Sequence, residues 1–272
     1  MFKVGGARFG GFGLSLAVAA VLGAAGSGRA IAEPTKAAVA GFEAYASGVD
    51  ARLREQHASS EFMVLPPAES DEATRLRRGE VVVERLTQER NRDLPGAMLH
   101  DWRGTAYLRG GKAADFERVL RDFGEYPKRF APQVLAARVV AGQGDQVQTW
   151  MRVQQRHGIT VTLDTTYDVR FGRLNAERGY SLSRSTKIEE IERPGMRDED
   201  ALTAGEEHGF LWRLNTYWSW EERDGGLYVQ IESISLTRSI PVGLGWAIGP
   251  FVERVPRESL EFTLRAACAA MR

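Results

Sequence analysis

The chain has a single cysteine, Cys268, among 272 residues, so it can form no disulfide within itself even in an oxidising compartment. The residues around Cys268 are mostly alanines, and a small buried filler on a terminal helix is the expected role. The four histidines, His57, His100, His157 and His208, fall in four separate segments. They form no H-x-x-x-H pair and have no second cysteine to join, so no metal or other cofactor is expected. There is no G-x-S-x-G elbow. Gly243, Gly245 and Gly249 suggest a dinucleotide loop, but the spacing is wrong by one and no βαβ unit surrounds them. Nor is there an excess of charge: 36 Lys and Arg balance 36 Asp and Glu, which argues against a nucleic-acid partner.

An uninterrupted apolar run long enough to span a membrane is also missing. The nearest is 11–26, thinned by glycines and preceded by Lys3 and Arg8. With Ala30-Ile31-Ala32 before Glu33, residues 1–32 read as a signal peptide cleaved after Ala32, and the product is expected to be periplasmic or secreted.

Beyond Glu33 the chain is first amphipathic. Residues 35–57 carry a helical stripe through Val39, Phe42, Tyr45 or Ala46, Val49 and Leu53. Residues 71–78 suit a short charged helix, and Val81-Val82-Val83 a strand. We expect 33–96 to form a partly helical N-terminal extension and 97–272 the main domain.

The main domain opens with a strand over 98–109, in which Trp102, Gly104, Ala106 and Leu108 share a face. A helix over 113–123 and a turn around Tyr126-Pro127 come next. From 134 onward the period is two, through six runs separated by turn residues, Asp224-Gly225-Gly226 among them. Such turns between alternating runs signal an antiparallel meander. Trp212, Leu214, Thr216, Trp218 and Trp220 are expected on one face, and Val229, Ile231, Ser233 and Ser235 on one face of the next strand. A charged insertion occupies 192–208. The end of the chain is helical: Leu260, Leu264, Ala267 and Met271 recur at helical spacing, with Pro256 at the first position and a break at Gly249-Pro250.

Strand, two short helices, six strands and a long helix is an order that resembles the START-like, or SRPBCC, superfamily. Residues 116–132, FERVLRDFGEYPKRFAP, are similar to the helix and Tyr-Pro turn of its polyketide-cyclase-like members. The resemblance implies an α+β helix-grip fold: a curved antiparallel sheet of about seven strands wrapped around the C-terminal helix. It also implies a carrier of a hydrophobic small molecule or lipid held between sheet and helix. On that reading Trp102, Tyr167 and Trp218 supply apolar wall, Arg184, Asn215 and Glu232 orient the polar end of the ligand, and Arg238 is a further candidate. Two alternatives stay open. One is a cyclase- or hydrolase-like enzyme using Glu232 or Tyr167 as acid or base, although a buried Glu232–Arg184 pair would equally be structural. The other is a module contacting an envelope protein or the membrane periphery through the extension or the insertion.

Overall fold

The computed structural model describes residues 33–88, 93–157, 159–203, 206–239 and 245–271. The signal-peptide reading of 1–32 and most of the glycine-rich stretch before the terminal helix lie outside them.

The first helix, α1 (Lys36–Ala58), starts where Thr35 caps it, its hydroxyl accepting from Ala38 N at 3.0 Å. That bond satisfies one of the donors a helix start leaves open. Its buried stripe is Ala38, Phe42, Ala46, Val49 and Leu53, at helical spacing. Ser70 caps α2 (Asp71–Arg77) in the same way. The strand β1 (Val82–Arg85) follows, and then β2 (Asp93–Leu94), β3 (Ala97–Arg109), α3 (Ala113–Arg121), a 3-10 turn at Phe123–Glu125, and α4 (Tyr126–Arg129). The meander comprises β4 (Val134–Gln143), β5 (Gln146–His157), β6 (Ile159–Arg173) and β7 (Arg178–Glu192). It continues through β8 (Asp200–Ala201), β9 (Arg213–Arg223) and β10 (Gly226–Arg238), and α5 (Gly245–Ala269) ends the described chain.

These strands form one open antiparallel sheet in the order β1-β3-β10-β9-β7-β6-β5-β4, with β2 on β3 and β8 on β7. It thus has ten strands among the described residues, rather than about seven, because β1 and the short β2 and β8 join it. Asp224 and Gly225, at φ 55° and 75°, make the β9–β10 turn, whose positive φ values match the twist of the hairpin.

The sheet is covered on both faces. On the inner face α5 packs Leu260, Leu264 and Ala267, all buried, among Ala106, Trp218, Val229 and Ile231. Burying a leucine such as Leu264 is worth about 2–3 kcal/mol. Gly104 on β3 lets the helix close: a Cβ there would lie 2.6 Å from Leu260 Cδ2. This is the helix-grip arrangement. On the outer face α1 packs against Leu99, Ile234 and Leu236.

Two details differ from the expected pattern. Gly249-Pro250 does not break the last helix, and Pro256 lies in its interior, since α5 runs unbroken from Gly245. Proline's fixed φ is already helical, so each costs one N–H···O bond and some crowding, which the buried face of α5 outweighs. Trp212 does not share the face of Trp218, because β9 begins only at Arg213; Trp212 turns outward into the cluster around α1.

Candidate functional site

Between the inner face of the sheet and α5 lies a cavity of about 430 Å³, within the usual range for small-molecule sites. Alternation along β3, β6, β9 and β10 aims Trp102, Tyr167, Trp218 and Ile231 into it. Phe123, Tyr126 and Phe130, from the turn between α3 and β4, close one side, and Pro256, Leu260 and Phe262 of α5 close another. Tyr126 is fixed by its own hydroxyl, which donates to the Leu120 carbonyl at 2.7 Å. Burial pushes the Tyr167 phenol up to about 12, so at physiological pH it is neutral and serves only as a hydrogen-bonding group.

The insertion after β7 returns to this cavity. Glu190, buried near the end of β7, accepts the backbone N–H groups of His208 and Gly209 at 2.9 Å and of Phe210 at 3.1 Å. It also holds His208 Nδ1 at 2.9 Å. That carboxylate fixes His208 to Leu211 as part of the wall. Gly209 is needed there: its φ is +75°, and a Cβ would lie 2.9 Å from Arg238 Cβ.

The predicted site residues divide between the two faces. Trp102, Tyr167, Trp218 and Arg238 line the cavity. Arg238 stands at the end of β10, and its guanidinium has no partner among the described residues. Arg184, Asn215 and Glu232 do not line it. They alternate outward, in register with Asp168, Ile234 and Tyr217, beneath α1. Arg184 pairs with Asp50 of α1. Glu232, with a side chain only 3% exposed, pairs with Arg52 of α1 and with Arg103 at 3.1 Å. The expected Glu232–Arg184 pair is therefore replaced by pairs to α1 and β3. Charges at apolar-looking positions mark the second covered face of the sheet, not the cavity.

That outer-face layer has its own electrostatics. Tyr45 donates to Asp101 Oδ2 at 2.8 Å. Burial, reinforced by the charge of Glu232, pushes the Asp101 carboxyl up to about 7. His57, at the other end of α1, stacks between Phe62 and Tyr180 and meets Ser219 Oγ at 2.9 Å. Burial, and then the charge of Arg52, pull it down to about 4. A depression of about 960 Å³ opens between α1 and β5–β7, lined by Asp50, Arg54, His57, Asp168, Arg170 and Arg184. Its mixed charge suits solvent better than an apolar ligand.

Sequence reasoning passed over the serines and threonines of the inner face. Ser233 and Ser235 were visible on the apolar face of β10, and Thr216 among the tryptophans of β9. Polar residues interrupting an apolar alternation were the signal.

No protein-family model matches the chain, and no curated protein sequence matches it. Similar solved structures include a STAR-related lipid transfer protein fragment from Xanthomonas axonopodis: 17% identity over 70% of this chain and 98% of that one, TM-score 0.45. Human STARD10 is similar at 10% identity over 78% of this chain and 83% of that one, TM-score 0.42. The Zhui aromatase/cyclase from Streptomyces sp. R1128 is similar at 15% identity over 63% and 92%, TM-score 0.39.

Proposed function

We propose that this protein binds a hydrophobic small molecule or lipid between the sheet and α5, as a carrier rather than a catalyst. The observation that carries the reading is the 430 Å³ apolar cavity with aromatic walls and, at one end, Arg238, whose guanidinium has no partner among the described residues. A cation at the end of an apolar space suits an amphiphile with an anionic or strongly polar head. The enzyme reading loses Glu232, which lies on the other face, and keeps a Tyr167 that burial holds in its protonated form, leaving almost no phenolate to act as a base near neutral pH.

Titration with a fluorescent fatty acid or quinone analogue, followed through quenching of Trp102 and Trp218, tests the proposal. Saturable binding is expected, weakened in Trp218→Ala and Arg238→Ala and unchanged in Arg184→Ala, whose partner is Asp50 on the outer face. No saturable binding across a broad panel of apolar ligands would overturn it.

The carrier is proposed to act after export, with residues 1–32 removed, as Ala30 and Ala32 suit a signal peptidase. The intact mass of the exported protein should correspond to a chain beginning at Glu33. Protein that stays in the cytoplasm with Met1 retained would refute the export.

A further inference from the structure

The inner wall carries a row of hydroxyls that neither the core nor the charged end of the cavity requires. Ser183 on β7 is in register with Thr216 on β9, and Thr216 with Ser233 on β10. The three side chains therefore stand side by side across adjacent strands, roughly 4.8 Å apart. Ser181 and Ser235 flank the row on the same faces. All five line the cavity, and none makes a side-chain hydrogen bond to a described residue. Ser181 and Ser235 are only 5% and 6% exposed, and Ser183, Thr216 and Ser233 are half-buried, so what these hydroxyls meet is the content of the cavity.

A hydroxyl on the wall of an apolar cavity costs about 1–3 kcal/mol if the cavity's occupant offers it no partner, whereas Ala or Val in the same place costs little. Five in one patch of an apolar wall are therefore a recognition surface. Its chemistry is neutral: among the described residues lining the cavity there is no carboxylate or lysine, and the basic side chains are Arg238 and His208. Hydroxyls both donate and accept, so they match hydroxyl, keto or ether oxygens. Position adds a second constraint. Ser235 and Ser233 lie three and five residues along β10 from Arg238, roughly 10–17 Å at about 3.4 Å per residue. A ligand head at Arg238 places the middle of an extended chain against the row.

Resting on the carrier reading above, we propose that the cavity selects amphiphiles with neutral oxygen functions midway along the apolar body, over unsubstituted hydrocarbon chains of the same length. Stearate and its mid-chain hydroxy- and keto-derivatives share one head and one length, so Arg238 contributes equally to all. Their affinities can be compared by displacement of a fluorescent fatty acid. At least one oxygenated derivative should bind about tenfold more tightly than stearate, the equivalent of one net hydrogen bond. In the Ser183→Ala, Thr216→Val, Ser233→Ala triple variant that preference should vanish while stearate binds at least as well. The variant should also unfold at the same or a higher denaturant concentration, because the hydroxyls it loses have no partner among the described residues; a structural role would lower the midpoint. Equal affinities in the wild type, or a preference that survives in the variant, would overturn the selectivity and leave the carrier intact. Failure of stearate and every derivative to displace the probe would overturn the carrier and the selectivity together.

Discussion

At the scale of single residues, Glu232 shows how a charge in an apolar alternation should be read. Its carboxylate holds Arg103, whose side chain is 8% exposed, and Arg52 from α1. Among the described residues, removing it leaves the buried guanidinium of Arg103 with only the long 3.5 Å contact to Glu84 on β1. Glu232→Ala should lower unfolding free energy by about 3–5 kcal/mol, the usual cost of breaking one side of a buried pair, as measured by denaturant titration. Ligand affinity in folded protein should not change, because the side chain faces away from the cavity. A variant of wild-type stability that has lost ligand binding would place Glu232 in the site after all. The aromatic positions Trp102, Tyr167 and Trp218 were legible because alternation alone decides the face of a strand residue. Arg184, Asn215 and Glu232 obey the same alternation. Their face is also covered, by a helix carrying Asp50 and Arg52 as partners, and nothing in the pattern of the strands announces that cover.

At the scale of elements, legibility followed the strength of the local signal. The strands of the meander are long, alternate cleanly and end in glycine- or asparagine-containing turns, so β4 to β7, β9 and β10 could be placed within a few residues, while the two-residue β8 inside the insertion could not. The stripe of α1 was equally clear, but a stripe states only that a helix has a buried face. It does not say which surface covers it. The start of α5 was obscured because Gly249 and Pro250 signal a break that tertiary packing overrides. The insertion was the least legible element. Its return at His208 to Leu211 is held by Glu190 through backbone donors, and backbone donors leave no trace in side-chain pattern. The hydroxyl row belongs to this scale too, since it exists only once β7, β9 and β10 are set in register.

At the scale of the whole molecule, both faces of one sheet are covered, and the outer cover makes stability depend on pH in two opposed ways. Asp101 has a folded pKa raised to about 7. Between roughly pH 4 and 7 the folded state therefore holds a proton that the unfolded chain has released, and stability from this group is lost as pH rises. His57 is depressed to about 4. Over almost the same interval the unfolded chain holds the proton, so stability from this group is lost as pH falls through about 6.5. Each shift of a few pH units corresponds to a few kcal/mol at about 1.4 kcal/mol per unit. The two slopes offset each other in the wild type and separate in variants. Denaturant titrations from about pH 4.5 to 7 should show Asp101→Asn gaining stability with rising pH, with His57 alone acting. Asn keeps an acceptor for Tyr45, so the slope can be read without losing that bond. His57→Gln, which can still reach Ser219, should lose stability over the same range. Affinity for a cavity ligand should stay flat across this range in both variants, because the two groups lie on the far side of the sheet from Trp218. Three parallel slopes would mean that neither group is buried as described, and that α1 does not cover the sheet in solution.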